Sequence, residues 1–229
     1  MQAMILAAGL GTRMQTLTAD TPKPLLKVGN TSLIEHLLQQ LVAAGVTEVV
    51  INLFYLGSRI EEDLGNGSRF GLDIQYSREA IRLDTAGGII KALPLLNDDS
   101  FIVVNADILT DFNYATLKPV DGLTRLAHIV LVQNPDHRPE GDFYINEDGH
   151  VYEEADVGNE PLTFSGISVL HRDLFADLPV QPCSVVPLLR QAMQDSKVSG
   201  EVHTGHWIDV GSPQRLAEAN RWVRHGGMV

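Results

Sequence analysis

Residues 4–26, MILAAGLGTRMQTLTADTPKPLL, constrain this chain more than any other stretch. They open as an apolar run of strand length ending in Ala-Ala-Gly, which suits a central parallel strand buried on both faces. Open α/β sheets place their ligands at the carboxyl ends of such strands, so the loop that follows is expected to face a ligand. That loop holds Gly9 and Gly11, then two cations, Arg13 and Lys23, with Pro22 and Pro24 beside the second. A Walker loop needs four residues between its glycines and then Gly-Lys-Ser/Thr, which Gly9-Leu10-Gly11-Thr12-Arg13 does not offer. A dinucleotide fingerprint needs a third glycine where Met14 stands, and no helical pattern begins there before Pro22. What remains is a loop of small residues with exposed amides, one fixed guanidinium and one mobile ammonium, a set that suits a polyphosphate. The other reading is a tight turn whose cations are merely solvated.

Past the loop, Ser32-Leu33-Ile34-Glu35 has the pattern of a capping box, and Leu33, Ile34, Leu37, Leu38, Leu41 and Val42 recur at helical spacing until Gly45. Residues 48–53 read as a strand, Ile60 and Leu64 mark a second helix that stops at Gly65, and residues 72–76 read as the next strand. Thr85-Ala86-Gly87-Gly88 opens a third helix over 89–96, and the apolar run 101–104 leads into Asn105-Ala106-Asp107. This alternation predicts a parallel sheet with right-handed crossovers. The second half differs. Residues 127–132 and 163–170 are strand-like, and 143–152 reads as a hairpin around Glu147-Asp148-Gly149. A hairpin is foreign to a pure doubly wound fold. The expected architecture is therefore α/β and Rossmann-like, a mixed, mostly parallel sheet flanked by helices with a small added hairpin lobe. A helix over 185–193, an extended 198–203 and a last helix started by Ser212 and Pro213 and running through Trp222 complete the chain.

The 229 residues suffice for one full α/β domain, read as two functional halves at about 1–115 and about 116–229. A net charge of -12 argues against a nucleic-acid surface, so any phosphate must be met locally, by a few placed cations or a metal. The single Cys183 excludes a disulfide framework and a cysteine zinc site, and fits a reducing compartment. The opening run has no basic leader, and no apolar stretch approaches the roughly 18 residues of a membrane span. A soluble, cytoplasmic protein with no membrane partner is expected, and a monomer is compatible with all of this.

Two aspartates stand apart. Asp107 follows FIVVNA and Asp209 follows HWI, each at the end of an apolar run. Brought together at the edge that carries the glycine loop, they would hold one hard divalent cation, magnesium, with phosphate oxygens completing its shell. Taken singly, each also reads as a cap or turn aspartate. There is no HExxH and no GxSxG, His203 and His206 lack a third ligand nearby in sequence, and Glu153, Glu154 and Asp156 read as a wet acidic face.

Taken together, these residues resemble the sugar nucleotidyltransferase family, whose opening pattern GxGTRxxxLTxxxPKPLLxV is met by Gly9 through Arg13, Leu17-Thr18, Pro22 through Leu26, and Val28. The likeness continues through Asn105-Ala106-Asp107 and Trp207-Ile208-Asp209-Val210-Gly211, and so covers nearly the whole chain. The compact size, Gly141-Asp142-Phe143, 162–167 and Gly205-His206-Trp207 are most similar to the N-acetylmuramate 1-phosphate uridylyltransferases, which make UDP-MurNAc in peptidoglycan recycling. The resemblance implies a nucleotidyltransferase that joins UTP to a sugar 1-phosphate with Mg2+ held by Asp107 and Asp209. Arg13 would face the leaving pyrophosphate and Lys23 the phosphate under attack.

The resemblance also places Ala8, Gly9, Gly11 and Thr12 with Arg13 and Lys23 on the nucleotide phosphates, and Glu79, Thr85 and Gly88 on base and ribose. Asn105, Gly141, Glu154, Ser165 and Asp209 fall on the sugar phosphate. The chain departs from the pattern at Ala106 and Asp84, where relatives carry glycine, and in 151–155, which lacks the Glu-Lys-Pro that many relatives set against the sugar phosphate. Two other readings stay open: a mannose- or glucose-1-phosphate guanylyl-, thymidylyl- or uridylyltransferase, and a nucleotide-sugar sensor without turnover.

Overall fold

The computed structural model describes residues 1–154 and 160–227. Its first half runs β1 (Ala3–Leu6), the short ribbon β2 (Lys27–Val28) and β3 (Thr31–Ser32), α1 (Leu33–Ala43), β4 (Glu48–Leu53), α2 (Gly57–Leu64), β5 (Asp73–Arg78), α3 (Asp84–Ala92), β6 (Ser100–Asn105) and β7 (Ile108–Thr110). The second half runs β8 (Ala127–Val132), β9 (Tyr144–Ile145), β10 (Val151–Tyr152), β11 (Thr163–His171), α4 (Val186–Gln194), β12 (Val198–His203), β13 (Trp207–Asp209) and α5 (Pro213–Arg224).

Seven strands form one sheet in the order β12-β8-β11-β6-β1-β4-β5. Neighbours are parallel except where β11 is involved, which runs antiparallel to both β6 and β8. The mixed, mostly parallel sheet is thus as expected, and its one reversal has a simple cause. Strand β8 ends at the same edge as β1 and β6, and the antiparallel β9–β10 hairpin interrupts the chain there before β11 runs back. The reversal keeps residues 133–154 and 160–165 beside the edge where β1 and β6 end.

Helices cover both faces. Leu37, Leu38 and Leu41 of α1 and Ile60 and Leu64 of α2 pack on one face, while Ala86 and Ile89 of α3 and Leu189 of α4 pack on the other. The predicted capping box of α1 is present: Ser32 Oγ accepts from Glu35 N at 3.4 Å and Glu35 Oε2 accepts from Ser32 N at 2.9 Å, an arrangement that contributes about 1 kcal/mol. Val42, expected in the apolar stripe, is exposed, and His36 is buried instead with its Nε2 at 2.9 Å from the Val28 carbonyl.

Other expectations shift by a few residues. The helical turn after β1 was expected to be absent; the backbone makes 3-10 turns over Thr12–Thr18, broken at Gln15 (φ 56°), because a short turn needs no amphipathic periodicity. The third helix begins at Asp84, earlier than expected, and the 72–76 strand is β5. A third apolar cluster joins Met14, Leu26 and Val28 to Leu109, Ile208, Val210 and Ala219, pinning the first loop against β7, β13 and α5. Among the described residues no helix is long and apolar enough to cross a membrane.

Candidate active site

Strands β1 and β6 are parallel neighbours with Leu6 opposite Asn105, so the loop after one and the Asn105-Ala106-Asp107 turn after the other leave the sheet side by side. Between them lies a cleft of about 360 Å³ whose walls include Ala8, Gly9, Gly11, Thr12, Arg13 and Lys23, with Thr85, Asn105 and Asp107. The amides of Ala8, Gly9, Leu10 and Gly11 donate to no acceptor among the described residues, which leaves them for an anion. A second cleft, of about 410 Å³, is lined by Ser165, Asp209, His137, Arg138, Thr163 and Trp207, and it shares Arg13, Asn105 and Asp107 with the first. One wall therefore faces two cavities.

The two aspartates meet through β-pairing that the sequence did not disclose. Strands β7 and β13 pair antiparallel with Asp209 opposite Ile108, and Val210 N donates to the Asp107 carbonyl at 2.8 Å. Each carboxylate already has a cation on one oxygen. Lys23 Nζ donates to Asp107 Oδ2; Arg215 Nη1 donates to Asp209 Oδ1 at 2.6 Å, and His137 Nε2 lies 3.2 Å from that same oxygen. The remaining oxygen of each has no partner among the described residues. Two uncommitted carboxylate oxygens on one cleft wall, with room for phosphate and water beside them, fit a hard divalent ion that completes its shell from its substrates.

Glu79 and Gly88, expected against base and ribose, stand one layer behind the cleft wall. The buried Glu79 carboxylate accepts from Asn52 Nδ2 at 2.7 Å and from Leu83 N at 2.8 Å, while Asn52 Oδ1 accepts from Ala7 N at 2.8 Å. Burial raises the Glu79 pKa against the pull of those two hydrogen bonds. A Cβ on Gly88 would lie 2.6 Å from Asn52 Nδ2 and 2.8 Å from Glu79 Oε1, so glycine is what lets α3 close over this network. Thr85 is in the wall, and its Oγ1 accepts from Val185 N at 2.8 Å.

Of the residues expected on the sugar phosphate, Ser165 lines the second cleft; its Oγ accepts from Ile167 N at 3.1 Å and its carbonyl from Trp207 Nε1 at 3.0 Å. Gly141, with φ 63°, and the exposed Glu154 lie outside both walls. Ala155 and Asp156 fall outside the described residues. Sequence reasoning missed Asn52, Arg82, His137, Arg138 and Arg215. Only Asn52 carried a signal, as a polar residue near the end of an apolar strand. The others are polar residues in loops or on the first turn of a helix, His137 and Arg138 within the run 136–140.

Residues 2–150 match the family described as Nucleotidyl transferase. The chain belongs to that family. This nucleotidyl transferase is 47% identical over 224 residues to the N-acetylmuramate alpha-1-phosphate uridylyltransferase of Neisseria meningitidis, with 96% of each chain covered. It is 36% identical to the enzyme of the same description from Caulobacter vibrioides, over 95% of this chain and 97% of that one. Its fold is shared with a provisionally assigned glucose-1-phosphate thymidylyltransferase of Bacillus anthracis, at a TM-score of 0.82 and 20% identity over 97% of this chain and 95% of that chain. Membership makes the protein an enzyme of nucleotidyl transfer.

Proposed function

We propose that this nucleotidyl transferase condenses UTP with N-acetylmuramate 1-phosphate to UDP-MurNAc and pyrophosphate in peptidoglycan recycling. The observation that carries the reading is the wall of Arg13, Asn105 and Asp107 shared by two clefts. A triphosphate in the first cleft and a sugar phosphate in the second would present their reacting groups to the same three side chains. The choice of uridylyl group and sugar rests on the relatives, whose aligned length is nearly the whole of both chains.

A sugar 1-phosphate is largely a dianion at neutral pH, its second pKa lying near 6 as in other phosphate monoesters, so the nucleophile needs no general base. The obstacle is repulsion between two polyanions, and positioning and neutralisation lower it. One phosphate oxygen of the sugar forms a bond to the α-phosphorus as the bond to the β-bridging oxygen breaks, and pyrophosphate leaves with that electron pair. In this reading the amides of 8–11 and Arg13 hold the departing pyrophosphate, and Lys23 faces the phosphate under attack. Asp107 and Asp209 would hold magnesium, which supplies charge neutralisation between the two substrates. The partners are small soluble molecules, and the place of work is the cytoplasm.

The test is pyrophosphate release with magnesium over a grid of UTP, dTTP, GTP and CTP against the 1-phosphates of N-acetylmuramate, N-acetylglucosamine, glucose and mannose. A signal concentrated on UTP with N-acetylmuramate 1-phosphate is expected. A maximum at a guanylyl or thymidylyl pair would replace the substrate, and silence throughout would leave a sensor.

A further inference from the structure

The second cleft has to receive a dianion beside two aspartates, and its basic side chains are few. Arg13, His137 and Arg138 line it. Arg13 also faces the first cleft. Arg138 is held at 2.5 Å by Asp142, whose other oxygen accepts from Phe164 N at 2.8 Å, so this pair is pinned together at the rim. That leaves His137, whose Nε2 reaches Asp209 Oδ1 and contacts Arg215 Nη1.

Arg215 is mostly buried, on the first turn of α5, whose start is fixed by the Ser212 hydroxyl accepting from Arg215 N at 3.3 Å. Its guanidinium packs where a Cβ on Gly211 would lie, and Arg13 Nη2 stands 3.4 Å from that same point. Glycine at 211 thus lets two guanidinium groups converge on the strand end that bears Asp209. Arg215 and His137 both meet one oxygen of the Asp209 carboxylate, and Arg13 lines the same cleft, so the basic groups gathered here exceed what neutralising that carboxylate requires. A phosphate dianion entering the cleft would balance it.

We infer that His137 and Arg215 form the basic end of the sugar-phosphate subsite: the His137 imidazole touches the phosphate, and Arg215 is a positioning residue that fixes both His137 and Asp209. The inference rests on the sugar-phosphate reading of the second cleft. It also supplies a basic group at the phosphate that 151–155, without a lysine, does not.

The experiment compares wild type with His137→Ala, Arg215→Met and Arg215→Lys. KM for N-acetylmuramate 1-phosphate and KM for UTP are measured separately, and calorimetry follows binding of the sugar phosphate alone. In His137→Ala and Arg215→Met the KM for the sugar phosphate is expected to rise about ten-fold or more, as for loss of a charged hydrogen bond. KM for UTP should stay within about two-fold. Arg215→Lys should recover part of the loss, and the calorimetric affinity should fall in parallel with the kinetic one.

An unchanged sugar-phosphate KM in His137→Ala, or an equal rise for both substrates, would overturn the inference. If Arg215→Met fails to give a cooperative thermal melt, His137→Ala, on a part-exposed turn, decides alone. Wild-type silence with every sugar 1-phosphate would overturn the reading of the cleft and the inference with it, whereas wild-type activity with indifferent variants overturns the inference only.

Discussion

Asp84 opens α3 at φ 61°, in the left-handed region where a side chain is strained, and its carboxylate accepts from Thr85 N at 2.8 Å in the wall of the first cleft, proposed to take the triphosphate. Glycine relieves that strain and removes a negative charge from beside the triphosphate. Asp84→Gly is therefore expected to lower KM for UTP and to change stability by no more than about 1 kcal/mol, in the stabilising direction; a raised KM would contradict the placement. At Gly9 the space is the message. A Cβ there would meet nothing within 4 Å, and Gly9 lines the cleft, so Gly9→Val should melt like wild type yet bind UTP at least about ten-fold more weakly in a calorimeter. Unaltered UTP affinity would move the triphosphate elsewhere. That Gly9, Arg13, Lys23, Asp107 and Asp209 come to the cleft walls was legible in the sequence because each sits in an ordered motif. The position of Glu79 one layer behind the wall was not legible because a carboxylate just past a strand end gives no sign of which way it turns, and its partners, Asn52 and Leu83, lie on another element or across a loop. His137 and Arg215 were silent because they are 78 residues apart and meet only through the fold.

At the level of elements, most helices and strands were readable from period and caps, and α1 shows why. Glu35 closes the capping box and also takes Arg69 at 3.0 Å and Lys27 at 3.2 Å. Burial alone would raise its pKa, but the Ser32 amide, the Ser32 hydroxyl and Lys27 outweigh it and bring it from 4.5 to about 2. A carboxylate with a depressed folded-state pKa stabilises the fold above its unfolded value and loses that contribution as pH falls through the folded one. Glu35→Gln should thus destabilise by about 1 kcal/mol in urea at neutral pH, and the gap from wild type should close between pH 4.5 and about 2. A gap independent of pH would mean the carboxylate charge is not what holds the cap. What the sequence could not show was direction: the alternation of 163–170 fits a strand running either way, and only the edge at which the preceding lobe sits makes β11 antiparallel. The three-residue pairs β7 and β13 were equally hidden, being too short for any periodicity, yet they bring Asp209 to Asp107.

Across the whole molecule, the sheet edge, the reversed strand and α5 converge on one wall with a cavity on either side. If Asp107 and Asp209 work as a pair on that wall, Asp107→Ala and Asp209→Ala should each reduce turnover on the order of a thousand-fold. Their melting temperatures should stay within about 4 °C of wild type. Near-normal turnover in either variant would remove the pair from the reaction. The two-cleft arrangement also makes a claim about path. With both substrates against Arg13, Asn105 and Asp107 at once, the sugar phosphate attacks the α-phosphorus directly and no enzyme-bound nucleotidyl group intervenes. The stereochemistry of transfer from a single diastereomer of UTP carrying sulfur on the α-phosphorus tests that claim most directly. Inversion at phosphorus in the nucleotide sugar is predicted, as a single in-line displacement requires; retention would contradict it, because two displacements would then have passed through a covalent enzyme intermediate.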